Sequence, residues 1–170
     1  MDIRIAGLVN DSITDGPGLR LAIFGQGCFH NCAGCHNPHT HTPDGGEVVL
    51  VEDIVDKMRR NPLLDGITLT GGEPFLQPEP MLALAQAAHG MGLDVIAYTG
   101  YEWDVLVQDE GRIALLRECD YVIDGKFIEA LRSLDLEFKG SSNQRLIAVQ
   151  ESLLEGRAVV YENFEAARGI

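Results

Sequence analysis

Short runs of β type alternate with helical patterns along this chain, and the clusters of unusual residues stand just after those runs. Residues 19–24, 67–70, 94–99, 121–123 and 145–149 read as strands. Between them, Val51, Ile54, Val55 and Met58 recur at i, i+3, i+4 and i+7, one face of a helix that Asn61-Pro62 stops. Residues 81–91 are rich in Ala and Leu, and Gly90 and Gly92 mark the end of that helix. A helical stretch covers 103–118 with an interruption at Gly111, and a short helix is expected over 127–131. Alternation of this kind predicts an α/β fold with parallel strands joined by right-handed crossovers. In such sheets and barrels the carboxyl ends of strands form the binding edge. Segments 28–35 and 71–74, Gly100 and segment 124–126 therefore converge on one rim. With no internal repeat, linker or low-complexity segment, residues 1–170 are expected to form one domain.

The formal net charge of −13 lacks the basic footprint on which polynucleotide binding rests, so no nucleic-acid partner is expected. One cationic group, Lys57-Met58-Arg59-Arg60, ends the first helix. It suits the helix dipole better than it argues for a landing site for an acidic electron carrier. No apolar run approaches the roughly 18 residues of a membrane span, and the first residues lack the plan of a signal peptide. Four cysteines without a secretion signal predict a reducing, cytoplasmic setting in which thiols serve metals or catalysis.

Three of those cysteines, Cys28, Cys32 and Cys35, form a C-x3-C-x2-C run. Structural zinc takes four ligands and disulfides take pairs, whereas a four-iron cubane held by three thiolates keeps one iron free for a small molecule. Gly27 and Gly34 let the backbone approach such a cluster closely. The alternative is zinc on the same cysteines, with His30, His36 or Cys119 as fourth ligand. His39 and His41, between Pro38 and Pro43, read as solvent-exposed. Gly71-Gly72-Glu73-Pro74 offers close backbone approach beside a carboxylate. Asp124-Gly125-Lys126 suits either a ligand or a surface ion pair, and Cys119 reads as a small core residue.

Together these residues resemble the radical S-adenosylmethionine (SAM) superfamily, whose hallmark is the C-x3-C-x2-C run. Within it the chain is most similar to glycyl-radical activases of the kind serving anaerobic (class III) ribonucleoside-triphosphate reductase. The likeness covers about residues 11–147 and rests on Asp15-Gly16-Pro17-Gly18, the cysteine run with Asn37-Pro38, Thr70-Gly71-Gly72-Glu73-Pro74 and Tyr98-Thr99-Gly100-Tyr101. Asp124-Gly125-Lys126-Phe127 and Gly140-Ser141-Ser142-Asn143-Gln144-Arg145 favour the reductase type. Gly34 stands where the wider superfamily usually carries an aromatic residue, and glycine there resembles the reductase activases; His36 departs from those activases, where tyrosine is common, and matches the histidine of formate-lyase activases. The resemblance implies a partial (β/α)6 barrel with a mostly parallel sheet. It implies a [4Fe-4S] cluster on Cys28, Cys32 and Cys35, whose free iron takes the amino and carboxylate groups of SAM. Gly34, Cys35 and His36 would lie against SAM, Gly71, Gly72 and Glu73 would hold its amino end, and Thr99 and Gly100 would line the pocket. Asp124 and Lys126 would face SAM or the incoming protein loop. One electron from a flavodoxin- or ferredoxin-type donor would cleave SAM to a 5′-deoxyadenosyl radical. That radical would remove a Cα hydrogen from a glycine of the reductase subunit, or of another glycyl-radical enzyme such as pyruvate formate-lyase.

Overall fold

The computed structural model describes residues 1–169. One sheet runs through it: β1 (Asp2–Ser12), β2 (Arg20–Gly25), β3 (Glu47–Leu50), β4 (Gly66–Gly71), β5 (Asp94–Tyr98), β6 (Tyr121–Asp124), β7 (Arg145–Ala148) and β8 (Val160–Tyr161). Its spatial order is β3-β1-β2-β4-β5-β6-β7-β8. Strands β2, β4, β5 and β6 pair in parallel at the centre. Only β1 and β7 run against the rest, each lying between two antiparallel neighbours. The sheet is thus mostly parallel by strand direction, in a mixed α/β fold.

The helices are α1 (Val51–Arg60), α2 (Pro78–Gly90), α3 (Trp103–Gln108), α4 (Glu110–Arg117), α5 (Val149–Glu155) and α6 (Phe164–Arg168). Successive strand residues face opposite sides, and the two cores follow that alternation. Val95 and Ala97 face the larger core with Ile54, Met81, Leu84, Leu115 and Leu116 of the helices. Ile96 faces a smaller core with Ile123, Leu146 and Phe164, onto whose ring Tyr121 and Phe138 pack edge-on. Between the amino ends of the central strands, Arg20 is fully buried. It donates to Thr68 Oγ1 (2.8 Å), the Ile67 carbonyl (2.7 Å) and Asp94 Oδ1 (2.5 Å), so its charge is satisfied at every side.

Three expectations change. Residues 145–149 do not extend the parallel run, because the chain between β6 and β7 carries only the 3-10 turn Glu129–Leu131 and no helical crossover. That turn replaces the short helix expected over 127–131. The stretch 103–118 breaks at Asp109, whose side chain accepts from the N–H groups of Gly111 and Arg112 and so caps α4. No helix among the described residues is long and apolar enough to cross a membrane.

At the end of α2, His89 stands 3.0 Å from Glu118 and 2.8 Å from Asp120. Burial alone would lower its pKa, but hydrogen bonds and charge from the two carboxylates hold it above the ordinary value. A raised folded-state pKa contributes stability that is complete below the unfolded value and lost as pH rises through the folded one. Replacing His89 by Gln therefore lowers Tm most at mildly acid pH, and the gap closes at alkaline pH in thermal melts of the two proteins.

Candidate functional site

The carboxyl ends of β2, β4, β5 and β6 open on a cavity of ≈ 700 Å³. Of the twelve residues singled out in the sequence, eight line it: Cys28, Cys32, Cys35 and His36 after β2, Gly71 and Gly72 after β4, and Thr99 and Gly100 after β5. The cysteine loop is closed on itself. Gly27 and Cys28 donate their N–H groups to the carbonyls of Thr40 (2.7 Å) and His41 (3.1 Å), and the Gln26 amide donates to those of His39 and Thr42. His39 is exposed as expected, but His41 is half-buried and lines the cavity, because its carbonyl ties down the start of the loop.

The paired glycines exist for backbone approach. Gly71 has φ +89°, and a Cβ there would lie 2.6 Å from the Phe24 Cα. A Cβ on Gly72 would lie 2.4 Å from the Gly27 carbonyl oxygen. Freed of side chains, this turn donates Gly72 N–H to Gly25 and Glu73 N–H to Gly27, both at 2.8 Å, and so clamps the β4 exit to the cysteine loop. Gly34 has φ +73°, and a Cβ there would lie 2.8 Å from the Glu129 carboxylate.

Glu73 lies behind the cavity wall with 2% of its surface exposed. Its Oε1 accepts from Thr99 Oγ1 (2.8 Å) and the Phe75 N–H (3.1 Å); its Oε2 accepts from the Gly100 N–H (2.8 Å) and stands 2.6 Å from His30 Nε2. The carboxylate expected to hold a ligand is already saturated by the protein. His30, considered from sequence only as a zinc ligand, spends its ring on Glu73 and on an edge contact with Tyr101. It is the site residue that sequence reasoning passed over; its place inside the cysteine loop was the available signal.

Asp124 also departs from expectation. It is 1% exposed and does not line the cavity, because Arg145, its antiparallel partner, takes both carboxylate oxygens (3.0 and 2.6 Å) and the Trp103 N–H takes one again. Lys126 is exposed outside the cavity, and its carbonyl accepts from Asn143. Gln144 accepts from the N–H groups of Gly140 and Ser141 and donates to the Gly125 carbonyl. The two motifs thus form the neck of a loop, residues 125–144, whose Leu134, Leu136 and Phe138 line the cavity while Phe127 lies 5.0 Å from the His36 ring.

Burial pushes the Cys28 thiol up, and the negative charge of Glu73 and the neighbouring cysteines adds to it; the backbone N–H of His30 opposes them. The Asn37 N–H donates to Cys35 Sγ at 3.4 Å. Among the described residues no three His, Cys, Asp or Glu groups are placed to share a single ion. An iron–sulfur cubane makes no such demand, since each iron takes one thiolate, and three soft donors at one cavity fit it. Cys119 lies in the core, wholly buried and apart from the cavity, with its thiol raised by burial and donating to the Leu115 carbonyl.

A family model for a 4Fe-4S single cluster domain matches residues 14–147. The anaerobic ribonucleoside-triphosphate reductase-activating protein of Salmonella typhi is 36% identical over 145 residues, 78% of this chain and 90% of that protein. Its Escherichia coli counterpart is 34% identical over the same shares. A pyruvate formate-lyase-activating enzyme of Clostridium pasteurianum is 36% identical over 95 residues, 53% of this chain and 40% of its own length. Among solved structures, QueE from Escherichia coli aligns loosely, over 59% of this chain and 53% of its own, with TM-score 0.49 and 20% identity.

The clamp at the glycine pair is testable. Gly71→Ala combines a positive φ with a backbone clash and is expected to cost more than about 1 kcal/mol. Gly90→Ala, with nothing within 4 Å of the new methyl group, leaves stability unchanged or slightly raised. Denaturation midpoints of both variants check the contrast.

Proposed function

The chain belongs to the 4Fe-4S single cluster domain family and, within it, to the anaerobic ribonucleoside-triphosphate reductase-activating proteins, and from that premise we propose how its residues carry the activity. It is a radical SAM oxidoreductase, a glycyl-radical-generating activase with an iron–sulfur cluster. In this reading Cys28, Cys32 and Cys35 hold the [4Fe-4S] cluster. SAM binds beside it, against the Gly71-Gly72 backbone, Thr99, Gly100 and His36. The observation that carries the reading is the meeting of all three cysteines with the glycine turn and Thr99-Gly100 in one cavity at the strand carboxyl ends.

Cluster and SAM, when bound, would supply a one-electron reductive cleavage of SAM whose adenosyl fragment takes up the glycine Cα hydrogen of the reductase subunit and leaves as 5′-deoxyadenosine. The chain supplies the rest. Its backbone turns set where SAM lies, while Leu136 and Phe138 give the cavity an apolar side. Glu73 acts through the groups it fixes, and Asp124 and Lys126 serve the neck of the wall rather than the ligand. The domain expected over residues 1–170, of which residue 170 lies outside the described residues, is one radical SAM domain, with the strand ends curving about the cavity as in a partial (β/α)6 barrel. The protein works in the cytoplasm with a flavodoxin- or ferredoxin-type donor and binds neither membrane nor nucleic acid, the latter consistent with its charge of −13. The formate-lyase activase match makes pyruvate formate-lyase the second target to consider. Its 40% coverage against 90% for the reductase activases favours the reductase.

Protein reconstituted with iron and sulfide under argon is expected to be brown and, with dithionite and SAM, to release 5′-deoxyadenosine. Mixed with the reductase subunit it should produce a glycyl EPR signal there; a signal only on formate-lyase would reassign the target. Iron uptake without SAM cleavage would defeat the reading. Cys32→Ala is expected to abolish both colour and turnover, whereas Cys119→Ala retains both.

A further inference from the structure

His30 sits inside the cysteine loop, two residues after Cys28, yet its ring is committed to another element of the fold. Its Nε2 stands 2.6 Å from Glu73 Oε2, and because a carboxylate only accepts, that nitrogen carries the proton. The pair is almost dry: the two side chains are 10% and 1% exposed. Charge-assisted hydrogen bonds in such surroundings are short and strong. The other three donors to Glu73 come from the Phe75 backbone and from Thr99 and Gly100 on the exit of β5. His30 is therefore the one bond by which this carboxylate reaches the cysteine loop. The ring is held in place on its remaining sides. Gly100 leaves room for it, since a Cβ there would lie 2.4 Å from the imidazole, and Tyr101 meets it edge-on at 4.6 Å. Arg112 in turn lies over the Tyr101 ring and is anchored by Asp109.

In the same loop the Asn37 N–H donates to the Cys35 sulfur at 3.4 Å. Donors on ligating sulfurs are among the features that set the reduction potential of an iron–sulfur cluster, since they stabilise the more negative, reduced state.

We infer that His30 is a positioning residue which, by bonding Glu73, ties the cysteine loop to the β5 exit, and so sets both the placement of that loop with its N–H donor on the Cys35 sulfur and the wall against which SAM lies. The inference rests on the cluster and SAM assignments made above. It adds a coupling between two sites: the strength with which SAM is held and the ease with which the cluster accepts an electron depend on one side chain that touches neither.

The full-length protein, reconstituted under argon, is compared with His30→Ala and His30→Gln, the latter keeping an N–H that can reach Glu73. Iron content and the cluster potential are read first by EPR-monitored redox titration without SAM or reductase, so this arm stands even if SAM cleavage fails in the unsubstituted protein. KM for SAM and kcat for 5′-deoxyadenosine release follow with excess dithionite. His30→Ala is expected to load iron, to shift the potential to more negative values, and to raise KM roughly tenfold, the effect of losing one charge-assisted hydrogen bond. His30→Gln should recover part of both changes. An unchanged potential in His30→Ala, a glutamine variant no better than alanine, or loss of iron uptake in both variants overturns the inference. The last result would assign His30 to folding alone.

Discussion

A single carboxylate holds the rim of this protein together. Glu73 is buried, and burying an acidic side chain costs several kcal/mol unless donors replace the water it gives up. Here four donors do so, drawn from the cysteine loop, from the exit of β5 and from its own turn. Segments far apart in sequence thereby acquire one common reference point. The cysteine loop reaches this group through His30, the glycine pair directly precedes it, and Thr99-Gly100 donate to it.

The glycines complete the arrangement from the backbone side. Gly71 and Gly72 bring the ends of β2 and β4 closer than any side chain would allow, and Gly100 does the same for the imidazole of His30. Such a frame is preorganised in the sense that matters for a cofactor enzyme: the difficult chemistry belongs to the bound group, and the fold contributes placement. The wall, residues 125–144, hangs from a hydrogen-bonded neck, so the frame does not depend on it.

Much of this was legible in the residues themselves. The apolar face of α1, the β runs ending at Gly71 and Tyr98, and the cysteine loop after β2 all carry local patterns that tertiary contacts did not override. What escaped has physical reasons. Strand β1 alternates buried Ile3 and Ile5 with polar neighbours but then passes through half-exposed residues, so its periodicity fades after a few positions. The reversed direction of β7 follows from a missing helix, which is difficult to recognise among residues with turn and helix character alike. Asp124 looked like a ligand because its partner, Arg145, lies 21 residues away and meets it only through antiparallel pairing. For Glu73 the motif indicated importance but could not reveal that every oxygen lone pair was already engaged. Residues 151–169 carry many charges and little apolar period, yet they fold into short elements, with Phe164 filling the smaller core.

The placement of Cys119 bears on what oxygen does to such a protein. A damaged centre releases thiols that can cross-link wrongly, and a fourth reactive thiol within reach would multiply the faulty pairings. This one is sealed in the core at the amino end of β6, away from the rim, with its proton held tightly by burial. Mispairing within a molecule is thus confined to a short loop whose ends are both anchored in the sheet. Reductants can reach that loop and reset it without unfolding the chain, which makes repair after air exposure a local event.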